Sequence, residues 1–240
     1  MVQQFLSDAD ADRAARCLGK IQGHAVQGWV LTGGLAIEIH RLTRGLESGI
    51  RVLNDIDFLV ESFESLPQTL ADQFLFRHIH PLDPPGKTIM QLVDIETALR
   101  VDVFRTYASV MRRAIQTAIF EKPLQIVSLE DLLARTTRIL MATARAVPVA
   151  SKHATDFLRL REMAKPGQVE IAWPDHRGPG DPSSFEEAAS VVCDSIATRK
   201  HLLIDARLSQ DPAELCDRCV QTGRFQLADP SLVLSILGYC

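Results

Sequence analysis

The stretch Leu53-Asn54-Asp55-Ile56-Asp57-Phe58-Leu59-Val60 sets two carboxylates two residues apart in an otherwise apolar run. Side chains of an extended strand alternate between faces, so Asp55 and Asp57 share one face, their Cα atoms roughly 6–7 Å apart. Ile56, Phe58 and Val60 then fill the other. Two carboxylates on a buried face repel each other and are costly to strip of water. Folding tolerates such a pair when cations compensate, and hard carboxylate oxygens suit Mg²⁺ or Mn²⁺. A third acid, Asp102, sits between Val101 and Val103 in a second strand-forming run. If the two strands are neighbours in one sheet, three carboxylates converge. That is a ligand set for a pair of divalent ions about 3.5–4 Å apart, suited to in-line displacement at phosphorus. Asp94 competes for the third place, but the β-branched and aromatic run around Asp102 favours the latter. The plainer alternative is that such acids mark a strand edge or pair with a basic side chain, and Arg51 and Arg100 stand nearby in sequence.

Upstream, Thr32-Gly33-Gly34 joins an apolar run (Trp29 to Leu31) to an amphipathic one (Leu35, Ile37, Ile39, Leu42). Two adjacent glycines cost backbone entropy and pack nothing. Either the chain turns tightly from strand to helix there, or a ligand approaches the backbone. A helix start free of side chains offers N–H groups and the positive end of a helix dipole, which is an anion site. Neither a P-loop nor a dinucleotide-binding glycine pattern is present. Glycines upstream of a D-x-D pair can together hold a triphosphate and its metal.

The elements that must position these residues can be read coarsely. Ser7 or Asp8 caps a helix over 8–22, residues 28–32 form a buried strand, and 35–45 form a helix ending at Gly45. The D-x-D strand follows, then a short helix within 64–74, a strand over 74–80, and a hairpin built from "TIMQLVDIE" and "LRVDVFR". From Ser128 the pattern becomes helical, with Ser128 and Asp131 at capping-box spacing. A helix over about 149–165 follows, and "PGQVEIAWPDHRGPGDPSS" reads as a Pro/Gly-rich linker near 166–183. A helix then starts behind Ser183, and two more occupy 211–223 and 229–238. The expected class is α+β: a mixed sheet flanked by helices over residues 1–125, then a helical region over 126–240.

With those elements in place, "GWVLTGGLAIEIHRL…RVLNDIDFLV…LRVDVF" resembles the nucleotidyltransferase superfamily of the polymerase-β type. The Gly-Gly-x-Ala form, the Arg ahead of "NDID" and the helical second half most resemble its AbiEii/type IV toxin-like and minimal antibiotic-type branches. The resemblance implies a nucleotidyltransferase-like mixed sheet. It also implies that Asp55, Asp57 and Asp102 hold Mg²⁺ or Mn²⁺, that Asp102 orients or deprotonates the acceptor hydroxyl, and that Thr32, Gly33 and Gly34 contact the triphosphate of an NTP such as ATP. It extends to Lys152 and Asp156, at i and i+4 on one predicted helix, as further members of the site; the alternative for that pair is a solvated ion pair. The implied reaction moves NMP from an NTP to an acceptor hydroxyl on a small molecule, tRNA or protein. A toxin of a toxin–antitoxin pair, with an antitoxin partner, and a catalytically silent nucleotide-binding module are the alternatives. Gly34 stands where the family often has serine, and the segment between Gly34 and Asp55 is longer than in the minimal members.

The remaining features narrow the field. The 240 residues carry a net charge of -4, so no global basic field recruits nucleic acid. No apolar run is long enough to span a bilayer and the N-terminus has no signal-peptide core, so a cytoplasmic protein without a membrane partner is expected. Five irregularly spaced cysteines argue against a disulfide framework, and Cys216-x-x-Cys219, alone within a predicted helix, reads as buried or neutral thiols rather than zinc ligands. His78 and His80 alternate on a strand and read as an ordinary polar face.

Overall fold

The computed structural model describes residues 5–24, 26, 28–47, 49–63, 66–79, 89–120 and 122–205. Residues 81–87, where a turn is expected from Pro and Gly, lie outside the described residues, as do His80, the side chain of His78, and the segments 211–223 and 229–238, expected as helices, with Cys216 and Cys219. The chain divides into two compact units. Among the described residues, the first holds those up to Thr106 together with Gln116–Ile126; the second holds Tyr107–Ile115 and residues 127–205.

In the first unit, α1 (Asp8–Gly23) is capped by Ser7, whose hydroxyl accepts the Asp10 N–H at 3.2 Å. Its buried stripe, Ala11, Ala14, Cys17, Leu18 and Ile21, repeats at helical spacing. The strands are β1 (Val30–Thr32), β2 (Asp55–Val60), β3 (Phe74–Ile79), β4 (Ile89–Asp94), β5 (Arg100–Arg105), β6 (Ile115–Ile119) and β7 (Lys122–Ile126). They form one seven-stranded sheet in the order β3-β4-β5-β2-β1-β7-β6. β2 runs parallel to β5 and antiparallel to β1, while β1 runs parallel to β7. The mixed sheet, its flanking helices and the helical second half agree with the α+β class read from the sequence. The expected β4–β5 hairpin is present. The β6–β7 pair has no counterpart in the sequence reading.

α2 spans Gly33–Thr43, so the glycines are its first turn rather than a connector ahead of Leu35. Residues 68–72, expected as a short helix, form a 3₁₀ turn.

In the second unit, α3 (Leu129–Ala144) is capped by Ser128, which accepts the Asp131 N–H at 3.1 Å. It packs against α4 (Ser151–Met163), α5 (Pro166–His176) and α6 (Phe185–Thr198). β8 (Val149–Ala150) and β9 (Leu203–Ile204) pair in parallel beside them. The stretch expected to be a linker is thus mostly helix. Pro166 occupies the first turn of α5, where its fixed φ suits a helix and its missing N–H costs nothing. Pro174 lies two residues before the end, in the last turn, and the fully buried Trp173 anchors that turn by donating its indole N–H to the Pro182 carbonyl at 2.9 Å. The cap of α6 is Ser184 rather than Ser183, accepting the Glu187 N–H at 3.2 Å. The Glu170 carboxylate supports it by accepting the Phe185 and Glu186 N–H groups at 2.9 and 3.0 Å. Among the described residues, no helix is long and apolar enough to cross a membrane.

Candidate functional site

Parallel pairing of β2 with β5 sets Asp55 opposite Arg100 and Asp57 opposite Asp102. Register then carries a polar row across four strands. Gln91 on β4 faces Asp102, Asp102 faces Asp57, and Asp57 faces Thr32 at the end of β1. Ile56, Phe58, Val101 and Val103 take the alternate positions and are fully buried, so apolar burial on one face fixes the acids on the other. The three carboxylates offer oxygens that all lie within 4.8 Å of one another. Three hard, anionic donors at that spacing suit a divalent cation.

The acids are not alone. The Arg100 guanidinium contacts Asp55 through Nη2 and lies 3.1 Å from Asp102 Oδ1 through Nε. Gln91 Nε2 donates to that same Asp102 oxygen at 3.1 Å. Burial lowers the Arg100 pKa, but the charges of Asp102 and Asp55, and more distantly Asp57, outweigh it and hold the group above its usual value. The plainer alternative for the strand acids, an ion pair with a basic side chain, is therefore present at Asp55 and Asp102, within a cluster that still has three carboxylates.

The glycines answer to these side chains. Gly33 has φ +68°, and a Cβ built there would lie 1.9 Å from Asp57 Oδ2 and 2.9 Å from Asp57 Cβ. A Cβ at Gly34 would lie 2.2–2.6 Å from the guanidinium atoms of Arg51. Arg51 also pairs with the fully buried Glu38 of α2 at 3.3 Å. The helix start thus turns sharply and is approached closely, by Asp57 on one residue and Arg51 on the next. Thr32 is buried and precedes α2 without a side-chain cap bond.

Asp94 is no competitor for the third place. It stands an odd number of residues from Gln91 on β4, hence on the other face. There it pairs with Lys20 at 2.6 Å and accepts from the Thr97 hydroxyl at 2.7 Å and the Glu96 N–H at 3.1 Å, closing the β4–β5 turn. Lys152 and Asp156 belong to α4 in the second unit, Lys152 exposed and Asp156 buried.

A second polar cluster, with almost no signal in the sequence, lies within the second unit. Buried Asp131 receives two hydrogen bonds from Arg113 at 2.9 and 2.6 Å, one from the Ser128 hydroxyl at 2.6 Å, and contacts His176 Nε2 at 2.8 Å. His176 Nδ1 lies 2.9 Å from the Tyr107 hydroxyl, and Arg113 also reaches Asp175 at 2.7 Å. Burial opposes the Asp131 charge, yet these hydrogen bonds hold its pKa down to about 2. The network ties the 107–115 segment to α3 and α5. The Ser128/Asp131 capping pair is its one mark in the sequence, because His176 falls in the stretch expected to be a linker.

No family model matches the chain, and no curated protein matches it. Three solved structures are similar in outline. An antigenic nucleotidyltransferase-like protein from Paracoccidioides brasiliensis is 14% identical, with TM-score 0.46, over 82% of this chain and 92% of its own. A candidate nucleotidyltransferase from H. pylori is 13% identical, with TM-score 0.35, over 82% and 95%. The protein JHP933 from Helicobacter pylori is 12% identical, with TM-score 0.32, over 82% and 94%.

Proposed function

We propose that the chain is a metal-dependent nucleotidyltransferase that joins the NMP of a nucleoside triphosphate to an acceptor hydroxyl and releases pyrophosphate. The observation that carries this reading is the convergence of Asp55, Asp57 and Asp102 beside the glycine-only start of α2. The three carboxylates hold Mg²⁺ or Mn²⁺. When bound, the metal neutralises phosphate charge and lowers the pKa of the attacking hydroxyl. The first turn of α2, at Gly33 and Gly34 behind Thr32, offers backbone N–H groups and positive dipole to the phosphates. Arg51, lying against Gly34, adds a fixed positive charge at the same helix end. Asp102 orients the acceptor and receives its proton. The acceptor oxygen bonds to the α-phosphorus as the bond to the bridging oxygen breaks, and the electron pair leaves with pyrophosphate.

Lys152 and Asp156 enter this reading on the family resemblance, Lys152 as a neutraliser of phosphate charge. The reading implies a cytoplasmic enzyme, where NTP is abundant. Isothermal titration tests it: NTP binding is expected to require Mg²⁺ or Mn²⁺ and to fall below detection in Asp55→Ala/Asp57→Ala. Metal-independent or absent binding refutes it and leaves a silent module of the same fold. The resemblance to AbiEii-like proteins extends the reading to a toxin with an antitoxin partner. Induced expression in a bacterial host is then expected to arrest growth, with Asp57→Ala relieving the arrest, and unimpaired growth removes that extension.

A further inference from the structure

We infer that Arg100 stands in the place of a second cation, so that the three-aspartate site takes one divalent ion rather than two. This rests on the metal-binding reading of that site. A pair of ions about 3.5–4 Å apart is held by carboxylates that share their oxygens between the two positions. Here two of the three carboxylates already share a cation. The Arg100 guanidinium donates to Asp55 Oδ2 through Nη2 and lies at ion-pair distance from Asp102 Oδ1 through Nε, one acid from each strand. Its position is set by the sheet, because the β2–β5 register seats Arg100 directly opposite Asp55 and two residues from Asp102 on the same face. Asp102 Oδ1 is further committed to Gln91 Nε2 at 3.1 Å.

The group is also well held. Its side chain is only 15% exposed, and a guanidinium keeps its charge across the physiological range, so no proton loss clears the site. A second divalent ion would have to compete with this cation for the same two oxygens. Once that ion displaced it, a permanently charged guanidinium would be left buried without its partners, which is strongly unfavourable. With Arg100 in place the three acids carry a net charge of about −2, matched by one divalent ion. A planar guanidinium differs from a metal in a way the reaction would register. It stabilises oxygen anions by hydrogen bonding but cannot drive a bound hydroxyl to ionise as a metal does.

Mn²⁺ titration of the full-length protein, followed by loss of the free-ion electron paramagnetic resonance signal, reads the stoichiometry without turnover. One Mn²⁺ per chain is expected in the wild type. Two per chain are expected in Arg100→Met, with the broadened spectrum of two spin-coupled ions. Arg100→Lys, which keeps the charge should Arg100→Met fail to fold, is expected to stay at one. Two ions in the wild type, or one in a folded Arg100→Met, overturns the inference while leaving the metal site standing. No Mn²⁺ bound to the wild type, as to Asp57→Asn, refutes the metal site itself and the inference with it.

Discussion

Gly33 carries two constraints at once. Its φ of +68° lies in the left-handed region, which costs a residue with a Cβ about 1–2 kcal/mol. The added carbon would also meet the Asp57 Cβ at 2.9 Å, so rotating the carboxylate does not relieve the contact. Gly33→Ala is therefore expected to lose at least about 1–2 kcal/mol in urea unfolding with an unchanged slope, and to weaken Mn²⁺ binding by moving Asp57. Gly34 differs. It has no left-handed φ, and its obstacle is the far end of a flexible arginine. Gly34→Ser is expected to lose stability as well, because moving Arg51 aside costs the fully buried Glu38 its ion pair with that arginine. It is also expected to weaken NTP affinity. The glycine at position 34 goes with a seated Arg51.

At the scale of elements, the D-x-D strand was legible because period-two alternation with Ile56, Phe58 and Val60 has a single physical solution. α1 was legible because Ser7 and an apolar stripe mark it independently. What escaped reading had weak or contrary local signals. On β6 and β7, Ile119, Leu124 and Ile126 are the buried residues, and Pro123 argues against a strand. That proline is tolerated because it lies ahead of Gln125 and Ile126, which pair with β1. α5 was hidden by prolines that its two ends accommodate. The sequence named Arg100 as a possible partner, but only the long-range β2–β5 register decides that it faces Asp55. The Asp131 network was invisible for the same reason, and it has a pH signature. The folded-state pKa of about 2 lies below the usual carboxylate value of about 3.8, so folding favours the ionised form. Its contribution is complete above pH 4 and is lost as pH falls from about 4 to 2, where the unfolded chain takes up the proton first. Acid titration of stability is expected to lose about 2 kcal/mol over that window in the wild type and not in Asp131→Asn.

For the molecule as a whole, each unit carries its own reporter. Trp29 packs edge-on against Phe58 in the first unit, with ring centroids 5.2 Å apart, and Trp173 packs against Phe185 in the second at 6.1 Å. Ligand that binds only the folded first unit stabilises that unit by mass action, by about 3 kcal/mol at a hundred times its Kd. Thermal melts of Trp173→Phe and Trp29→Phe are therefore expected to show Mn²⁺ raising the Trp29 midpoint more than the Trp173 midpoint. Equal shifts would place the metal elsewhere or make the two units one cooperative block.

The path of the chain between the units bears on how the protein is made. After β5, residues 107–115 go to the second unit, and the chain returns for β6 and β7 before leaving again at Val127. β7 is an inner strand that completes the pairing of β1. On the ribosome, β1 therefore emerges with one edge open. It stays so until residue 126 has been synthesised, several seconds later at ordinary elongation rates of about 5–20 residues per second. By then Tyr107 and Arg113 have already been delivered, ahead of the Asp131 and His176 they will join. Neither unit is an uninterrupted segment. A polypeptide ending at residue 126 keeps a whole sheet and strips the helical unit of its anchoring tyrosine and arginine, so the two halves cannot be produced, or exchanged between proteins, as simple consecutive pieces.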